Sequence, residues 1–108
     1  MERLERMFTD EREANVAKGI LHTLGKDKKT YYWFDLVFTC LAGAAETHAK
    51  ECIQSRDLRN IVGNLAREKI IKVSRGAVEI IQPEYVGDQI ELTREGEKYL
   101  QENYPRAA

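Results

Sequence analysis

Apolar residues recur at steps of three and four along the first two thirds of the chain, a spacing typical of helices packed on one side. The first regular stretch follows Thr9 or Asp10, either of which can act as an N-cap, and it stops before Gly25, where a C′ glycine would end a helix. We therefore predict a helix over residues 10–24, preceded by an amphipathic lead-in at 1–8. Its buried face is expected to comprise Ala14, Ala17, Ile20, Leu21 and Leu24.

Residues 30–41 carry signals for both strand and helix. The four aromatic residues from Tyr31 to Phe34 favour a strand by propensity, whereas the apolar positions downstream follow a helical spacing. We favour a helix that follows a short extended piece at 30–32, with its aromatic side chains in the core. Residues 44–53 repeat the helical pattern. The apolar positions of the helix predicted within residues 30–41 are Trp33, Phe34, Val37, Phe38 and Leu41.

The most regular amphipathic pattern lies in residues 56–68, with Ser55 placed as the N-cap of a helix. Gly63 lies in the middle of this helix, where glycine costs roughly 1 kcal/mol relative to alanine. Close approach of residues 44–53 or of a phosphate would explain it. The positions expected to be buried are Leu58, Ile61, Val62 and Leu65. The opposite, polar side consists of Arg56, Arg59, Asn60, Asn64 and Arg67.

The periodicity changes after this helix, and the pattern from there predicts strands. Residues rich in β-branched side chains at 70–73 and 78–81 indicate two strands separated by a short turn. Gly87 and Asp88 are placed as the two-residue turn of a β-hairpin. Pro83 has no amide donor, so it marks a sheet edge or an irregularity.

The last predicted element is a short helix that Thr93 caps and Pro105 ends. The complete order predicts an α+β fold with three or four helices, a small antiparallel β-hairpin and a short C-terminal helix. With 108 residues, the chain has the length of a single domain with one hydrophobic core. We therefore predict one domain over residues 1–108, with a C-terminal tail at 101–108.

Two segments of the sequence resemble parts of winged helix-turn-helix DNA-binding proteins. Residues 55–73 are similar to the recognition helix and the first wing strand of these regulators. Residues 90–100 resemble the return strand and terminal helix of MarR-like and PadR-like proteins, in which a Leu-Thr-x-x-Gly pattern closes the wing. Leu92, Thr93 and Gly96 match that pattern. The resemblance implies a winged-helix fold whose recognition helix enters the major groove of DNA while the wing contacts the backbone or the minor groove.

The charge of the chain is small overall but unevenly distributed. The formal net charge is −1, yet residues 55–75 contain six basic and two acidic residues, and residues 14–30 contain four basic and one acidic. In the major groove arginine pairs with guanine and asparagine with adenine, and basic side chains contact phosphate. We therefore predict that the chain binds duplex DNA as a small transcriptional regulator. The candidate DNA-binding residues are Arg56, Arg59, Asn60, Asn64, Arg67, Lys69, Lys72, Arg75, Lys28 and Lys29.

The number of chains in the binding unit follows from the size of the domain. A lone domain of this size makes few base contacts, and regulators of this kind commonly read two half-sites as dimers. We therefore expect a homodimer, with residues 1–8 and the C-terminal helix as candidate dimer surfaces.

The wing implied by the resemblance is acidic, which leaves a second interpretation open. Residues 76–93 contain Glu79, Glu84, Asp88 and Glu91 and no lysine or arginine. Such a segment would be repelled by phosphate and would suit a contact with a protein. The alternative prediction is a winged-helix protein-interaction module that uses its acidic wing or its aromatic helix, and an RNA duplex is a third target to consider.

Other classes of function have little support in the sequence. It has no nucleophile motif, no glycine-rich phosphate loop and no metal-binding carboxylate cluster, so we predict neither an enzyme nor a cofactor. His22, Cys40, His48 and Cys52 lack the compact paired spacing of structural zinc sites, and we interpret the two cysteines as reduced and buried. No apolar run approaches the roughly 20 residues that span a bilayer, and we expect a cytoplasmic protein.

Overall fold

The computed structural model describes residues 3–27, 30–37 and 55–103. These residues form an α+β arrangement of five helices and four strands. In chain order the elements are α1 (Arg3–Met7), α2 (Glu11–Asp27), β1 (Tyr31–Tyr32), α3 (the helical residues 33–37), α4 (Ser55–Arg67), β2 (Ile71–Arg75), β3 (Val78–Ile80), β4 (Gln89–Leu92) and α5 (Arg94–Asn103). The helix predicted over 44–53, the apolar positions Phe38 and Leu41 and the helix end at Pro105 lie outside the described residues.

The four strands form one antiparallel sheet in the order β1-β4-β2-β3. β2 pairs with β3 on one side and with β4 on the other, and β1 is added at the outer edge of β4. Val73 is the partner of both Ile80 and Ile90, and Ile90 is also the partner of Tyr31. These four side chains share one face of the sheet because successive residues of a strand point to opposite faces. That face belongs to the core, which the helices complete.

The two strands predicted at 70–73 and 78–81, with a short turn between them, are confirmed as the β-hairpin of β2 and β3. β2 and β3 are joined by a tight turn that begins at Gly76, whose φ of 60° is in the region that glycine adopts most readily. The prediction that Gly87 and Asp88 form a hairpin turn is wrong, because β3 and β4 lie on opposite sides of β2 and residues 81–88 connect them. Asp88 binds Arg75 with its carboxylate, so this connection folds as a loop rather than as a strand.

α2 begins where the sequence predicts and ends later. Asp10 caps its first turn, since Oδ1 of Asp10 accepts a hydrogen bond from the amide of Arg12 at 2.9 Å. The prediction that Gly25 ends this helix is wrong, because α2 continues to Asp27. Packing requires the glycine instead: a Cβ at this position would lie 2.7 Å from Cδ1 of Leu100. α2 and α5 therefore approach each other closely at Gly25.

The aromatic segment adopts both of the structures that its sequence indicates. Tyr31 and Tyr32 form β1 and the helical residues begin at Trp33, as predicted for a helix after a short extended piece. The predicted buried face is wrong in part: Trp33 is buried, but Tyr32 and Phe34 are 49% and 58% exposed. Leu36, which was not expected on that face, is buried. The change from strand to helix at residue 33 breaks the periodicity, so neighbouring aromatic side chains point in different directions.

A cluster of buried apolar residues connects the described elements. α2 contributes all five residues predicted for its buried face, which confirms the helical pattern there. α4 contributes its whole predicted stripe, each residue at most 2% exposed: Leu58, Ile61, Val62 and Leu65. Because both stripes are fully used in the core, the sides of α2 and α4 that face solvent are the polar ones.

Both candidate dimer surfaces turn their apolar side chains inward. Leu4 and Phe8 of the N-terminal segment are buried, and so are Tyr99 and Leu100 of α5. These residues belong to the core of the chain itself, and α5 presents mainly charged and polar side chains to solvent. The homodimer stays a prediction, but these apolar residues do not supply its interface.

The Leu-Thr-x-x-Gly pattern has a structural role where α4, β2 and α5 meet. Thr93 caps α5, because its Oγ1 accepts a hydrogen bond from the amide of Gly96 at 2.9 Å. The same hydroxyl donates toward the carbonyl oxygens of Lys69 and Ile70, at 2.6 and 2.9 Å. Gly96 packs on the carbonyl group of Ile70, with which a Cβ would overlap. The pattern therefore holds the N-terminus of α5 against the end of α4.

α4 ends in a Schellman motif, which fixes the direction in which the chain enters β2. The amide of Lys69 donates to the carbonyl oxygen of Ala66 at 3.0 Å, and the amide of Ile70 donates to that of Leu65 at 3.1 Å. Lys69 occupies the left-handed C′ position, with a φ of 64°, where glycine is more usual. Its exposed side chain therefore lies at the C-terminal end of α4.

Candidate nucleic-acid interface

The side of α4 that faces away from the core brings three of the predicted residues together. Successive residues of an α-helix are turned by about 100°, so Asn60, Asn64 and Arg67, at i, i+4 and i+7, lie on one side. Asn60 and Arg67 are exposed, and Asn64 is partly exposed. Nη1 of Arg67 donates to Oδ1 of Asn64 at 3.2 Å. The outward side of α4, defined by these three residues, thus presents amide and guanidinium groups to solvent.

Arg59 lies at the border between this outward side and the core. Its side chain is partly exposed, and its Nε is buried without a hydrogen-bond partner among the described residues. A buried donor without an acceptor costs free energy in the folded chain. The backbone of Arg56 belongs to α4, but its side chain falls outside the described part of the chain, as do Lys28 and Lys29.

Gly63 lies on the outward side of α4, between Asn60 and Arg67, and yet it is buried. The side chain that covers it is Gln82, from the connection between β3 and β4: a Cβ at Gly63 would lie 3.0 Å from Cγ of Gln82. Nε2 of Gln82 also donates to Oδ1 of Asn60 at 2.9 Å. A close approach at Gly63 is confirmed, and among the described residues Gln82 makes it; residues 44–53, which the sequence also offered, lie outside the described part of the chain.

Arg75, a predicted DNA-binding residue, is bound to the acidic connection instead. Its Nε and Nη2 donate to Oδ1 and Oδ2 of Asp88 at 2.8 and 3.1 Å, and its guanidinium lies 4.2 Å from the centre of the Tyr85 ring. Asp88 is 1% exposed and also accepts hydrogen bonds from the amides of Glu84 and Tyr85, at 2.8 and 2.9 Å. Arg75 therefore stabilises this loop, and we leave it out of the proposed interface.

The same contacts determine the protonation state of Asp88. Hydrogen bonds from Arg75 have the largest effect and, with those from the amides of Tyr85 and Glu84, they outweigh the opposing effect of burial. Together they hold the pKa of the Asp88 carboxyl group well below its ordinary range. The hydrogen bond with Asp88 in turn raises the pKa of Arg75. The buried carboxylate stays ionised at neutral pH because it is surrounded by donors.

Two of the remaining acidic residues between Gly76 and Thr93 are partly neutralised within the chain. Oε2 of Glu84 lies 3.6 Å from Nη2 of Arg75, and Oε1 of Glu91 lies 3.9 Å from Nζ of Lys72, its cross-strand partner. These pairs are largely exposed, so each contributes little to stability. Glu79 is exposed and has no ion pair with the described residues. Lys72, another predicted DNA-binding residue, therefore already has a carboxylate beside it.

Two of these features were not found from the sequence. Gln82 covers Gly63 on the outward side of α4. The sequence signal for this contact was Gly63 itself, because an unfavourable residue inside a helix indicates a close neighbour without identifying it. The pairing of Arg75 with Asp88 had no signal, because the sequence around Asp88 reads as a turn. Both contacts join residues that are far apart in the sequence and meet only in the folded chain.

No helix in the described part of the chain is long and apolar enough to cross a membrane, and no three His, Cys, Asp or Glu side chains there are grouped so as to hold a metal ion. Of the four residues considered for zinc, only His22 lies within the described ranges.

No family model, curated protein or solved structure matches the chain.

Proposed function

We propose that the chain is a winged-helix protein that binds duplex DNA through the outward side of α4 and acts as a small transcriptional regulator. Four described helices, α1 to α4, precede the β2–β3 hairpin, and α5 follows the sheet. This order supports the winged-helix interpretation. In the proposed complex α4 enters the major groove, where an exposed helix can contact the edges of the bases.

The chemical character of the outward side of α4 is the observation that carries this proposal. Beside the two asparagines and the arginine that define it, Arg59 lies at its border and Lys69 at its end. Glu68, the acidic residue next to Lys69, lies 3.6 Å from Nη2 of Arg3 and is partly neutralised by it. Amide and guanidinium groups with little opposing negative charge suit base edges and phosphates.

Replacing Arg56, Arg59 and Arg67 together by alanine is expected to weaken binding to a DNA duplex by at least about 100-fold. The reason is that each arginine contributes of the order of 1–3 kcal/mol when it contacts a base or phosphate. Fluorescence anisotropy of a labelled duplex at fixed salt measures the affinity, and a thermal melt followed by circular dichroism shows whether the variant is folded. Unchanged affinity in the folded variant would contradict the assignment of the interface to α4.

A matched control removes the same number of positive charges from other helices. Arg6, Arg94 and Lys98 are exposed residues of α1 and α5, and gel filtration of this control variant shows whether association of two chains, for which these helices are candidate surfaces, is unchanged. Replacing these three by alanine should leave the affinity within about threefold of the wild type, since long-range charge alone makes a small contribution. An equal loss in both variants would show that binding follows net charge rather than the surface of α4.

We also propose that two chains bind one site as a homodimer, since a single recognition helix contacts few base pairs. The same titration, carried out with the duplex well above its dissociation constant, gives the number of chains bound per duplex. Saturation at two chains supports a dimer, and saturation at one contradicts it.

As the alternative, we propose that the chain binds a protein through apolar side chains beside the Arg75–Asp88 pair. Tyr85 and Val86 are 60% and 69% exposed, and the amide of Phe34 donates to the carbonyl oxygen of Val86 at 3.2 Å, which brings Phe34 next to them. Exposed acidic residues, Glu84 and Asp35, follow the same backbone. An apolar patch with acidic flanks fits a partner segment with apolar and basic side chains.

Val86→Asp tests this alternative, with Val78→Asp as a control at an equally exposed valine of the hairpin. In a nuclease-treated pull-down, a stoichiometric protein should be retained by the wild type and by the control. Val86→Asp should weaken its binding at least about tenfold, because an unpaired carboxylate would be buried in the contact. Retention by Val86→Asp, or no retained protein at all, would contradict the alternative.

A further inference from the structure

Gln82 occupies a place on α4 that a residue of the helix itself would normally fill. Gly63 is three residues after Asn60 and four before Arg67, so it lies between them on the outward side. It has no side chain, and the Gln82 side chain lies over it instead, with its Cγ 3.0 Å from where a Cβ of Gly63 would be. The outward side of α4 is therefore completed by a residue from the connection between β3 and β4.

The position of Gln82 is fixed from both sides. Before it, Ile80 ends β3 and is partly buried against the core. After it, Pro83 is buried, as suits the irregularity predicted there. Its side-chain amide is held by the hydrogen bond to Oδ1 of Asn60 at 2.9 Å. Gln82 and Asn60 thus present one oriented pair of amides, which loses less conformational entropy on binding than two mobile side chains would.

The chemistry of this amide pair matches one kind of base. One N–H of one amide and one oxygen lone pair of the other are used in the hydrogen bond between them. In either orientation of the two amides, both donors and acceptors remain for a ligand. The major-groove edge of adenine offers an acceptor at N7 and a donor at N6, whereas guanine offers two acceptors and cytosine a donor alone. We propose that Gln82 is a specificity-determining residue that, with Asn60, recognises an A·T base pair; this inference rests on the proposed binding of DNA by α4.

Selection of bound duplexes from a random-sequence library tests the inference with the full chain. The wild type should enrich sites with A·T at one position of each half-site, with about 10- to 100-fold discrimination against G·C at that position. Gln82→Ala should reduce this discrimination to within about threefold while the affinity for unselected duplex, which depends on phosphate contacts, stays within about twofold. If Gln82→Ala selects the same sites with the same discrimination, the inference is overturned and the proposed DNA binding stands. If the wild type binds no duplex, the proposed function fails and the inference fails with it.

Two further variants separate the role of Gln82 in recognition from a role in folding. Gly63→Ala keeps the chemistry of Gln82 but shifts its side chain by a few tenths of an ångström, because the new Cβ would lie 3.0 Å from Cγ and 3.4 Å from Nε2 of Gln82; it also replaces a poor helix former by a good one. It should relax the same A·T position while its melting temperature is unchanged or higher. Asn15→Ala removes an exposed side-chain amide from α2 and should select the wild-type sites. Wild-type selectivity in Gly63→Ala, or relaxed selectivity in Asn15→Ala, would overturn the inference.

Discussion

Replacing Gly96 by alanine is expected to lower the free energy of unfolding by about 3 kcal/mol or more, at the upper end of the range for overpacking. A Cβ at Gly96 would overlap the carbonyl oxygen of Ile70, which is backbone and cannot rotate away. Relief requires the first turn of α5 to move off the end of α4, and this breaks the hydrogen bonds that Thr93 makes there. Urea denaturation followed by circular dichroism measures the loss.

Gly19→Ala is the matched control for this prediction. Gly19 also lies within a helix, α2, but among the described residues a Cβ there would meet no atom within 4 Å apart from its own stretch of the helix. The same substitution should therefore stabilise the chain by roughly 1 kcal/mol, because alanine is the better helix former. Opposite signs for the two variants would confirm that contact with Ile70, rather than helix propensity, determines the need for glycine at position 96. A loss below about 1 kcal/mol for Gly96→Ala would contradict this packing.

Asp88→Asn is expected to destabilise the chain by about 2–3 kcal/mol at neutral pH. The carboxylate accepts hydrogen bonds from the side chain of Arg75 and from two backbone amides, and it is almost fully buried. The asparagine amide would place N–H groups against donors, so at least one buried donor loses its acceptor. Glu84→Gln is the control, because that carboxylate is 63% exposed and 3.6 Å from Arg75, and its loss should cost less than about 0.5 kcal/mol.

The pH dependence of this difference has a definite sign. The pKa of Asp88 is lowered in the folded chain, chiefly by the Arg75 hydrogen bonds, so the folded state holds this proton less readily than the unfolded state does. Its contribution to stability is complete above the unfolded pKa of about 3.9 and is lost as the pH falls toward the lower folded pKa. The wild type and Asp88→Asn should therefore differ by a constant amount above about pH 5 and converge in more acidic solution. A difference that grows as the pH falls would contradict the role of Asp88.

The elements that depend on local spacing could be predicted from the sequence. The buried stripe of α4 and that of α2 follow from residues three and four apart, and the Thr93 cap follows from its place before a helical segment. The failures come from contacts between distant residues. Gly25 reads locally as a helix end, but Leu100 packs on it from α5. Residues 85–88 do form a turn, with the amide of Asp88 donating to the carbonyl oxygen of Tyr85 at 3.0 Å, but it does not join two paired strands, and the Asp88 carboxylate binds Arg75.

For the candidate site, too, the sequence predicted the residues that share one helix and not the contacts from elsewhere in the chain. Asn60, Asn64 and Arg67 share a side of α4 because helical geometry alone places them there. The sequence could not show that Gln82 joins them, since that depends on how the connection between β3 and β4 crosses the helix. The sequence also could not show that Arg75 forms an ion pair with Asp88. A count of basic residues therefore overstates the positive charge available to contact phosphate.

The Leu-Thr-x-x-Gly pattern supports the proposed interface indirectly, by packing α5 against the end of α4. Thr93 and Gly96 contact the end of α4 with backbone and hydroxyl groups. These contacts lie at the C-terminal end of α4 and do not involve Asn60, Asn64 or Arg67 on its outward side. We therefore expect variants at these two residues to alter stability, while variants on the outward side alter binding.

Anisotropy of a labelled DNA duplex, titrated with the wild-type chain over a series of salt concentrations, tests the central claim most directly. If the four basic residues on α4 and at its end (Arg56, Arg59, Arg67 and Lys69) contact phosphates, counterion release predicts that affinity falls by about 100-fold between 50 and 200 mM salt. Absence of binding at micromolar protein in low salt, or an affinity that does not change with salt, would contradict DNA binding by α4. The apolar patch at Tyr85 and Val86 would then become the first surface to test.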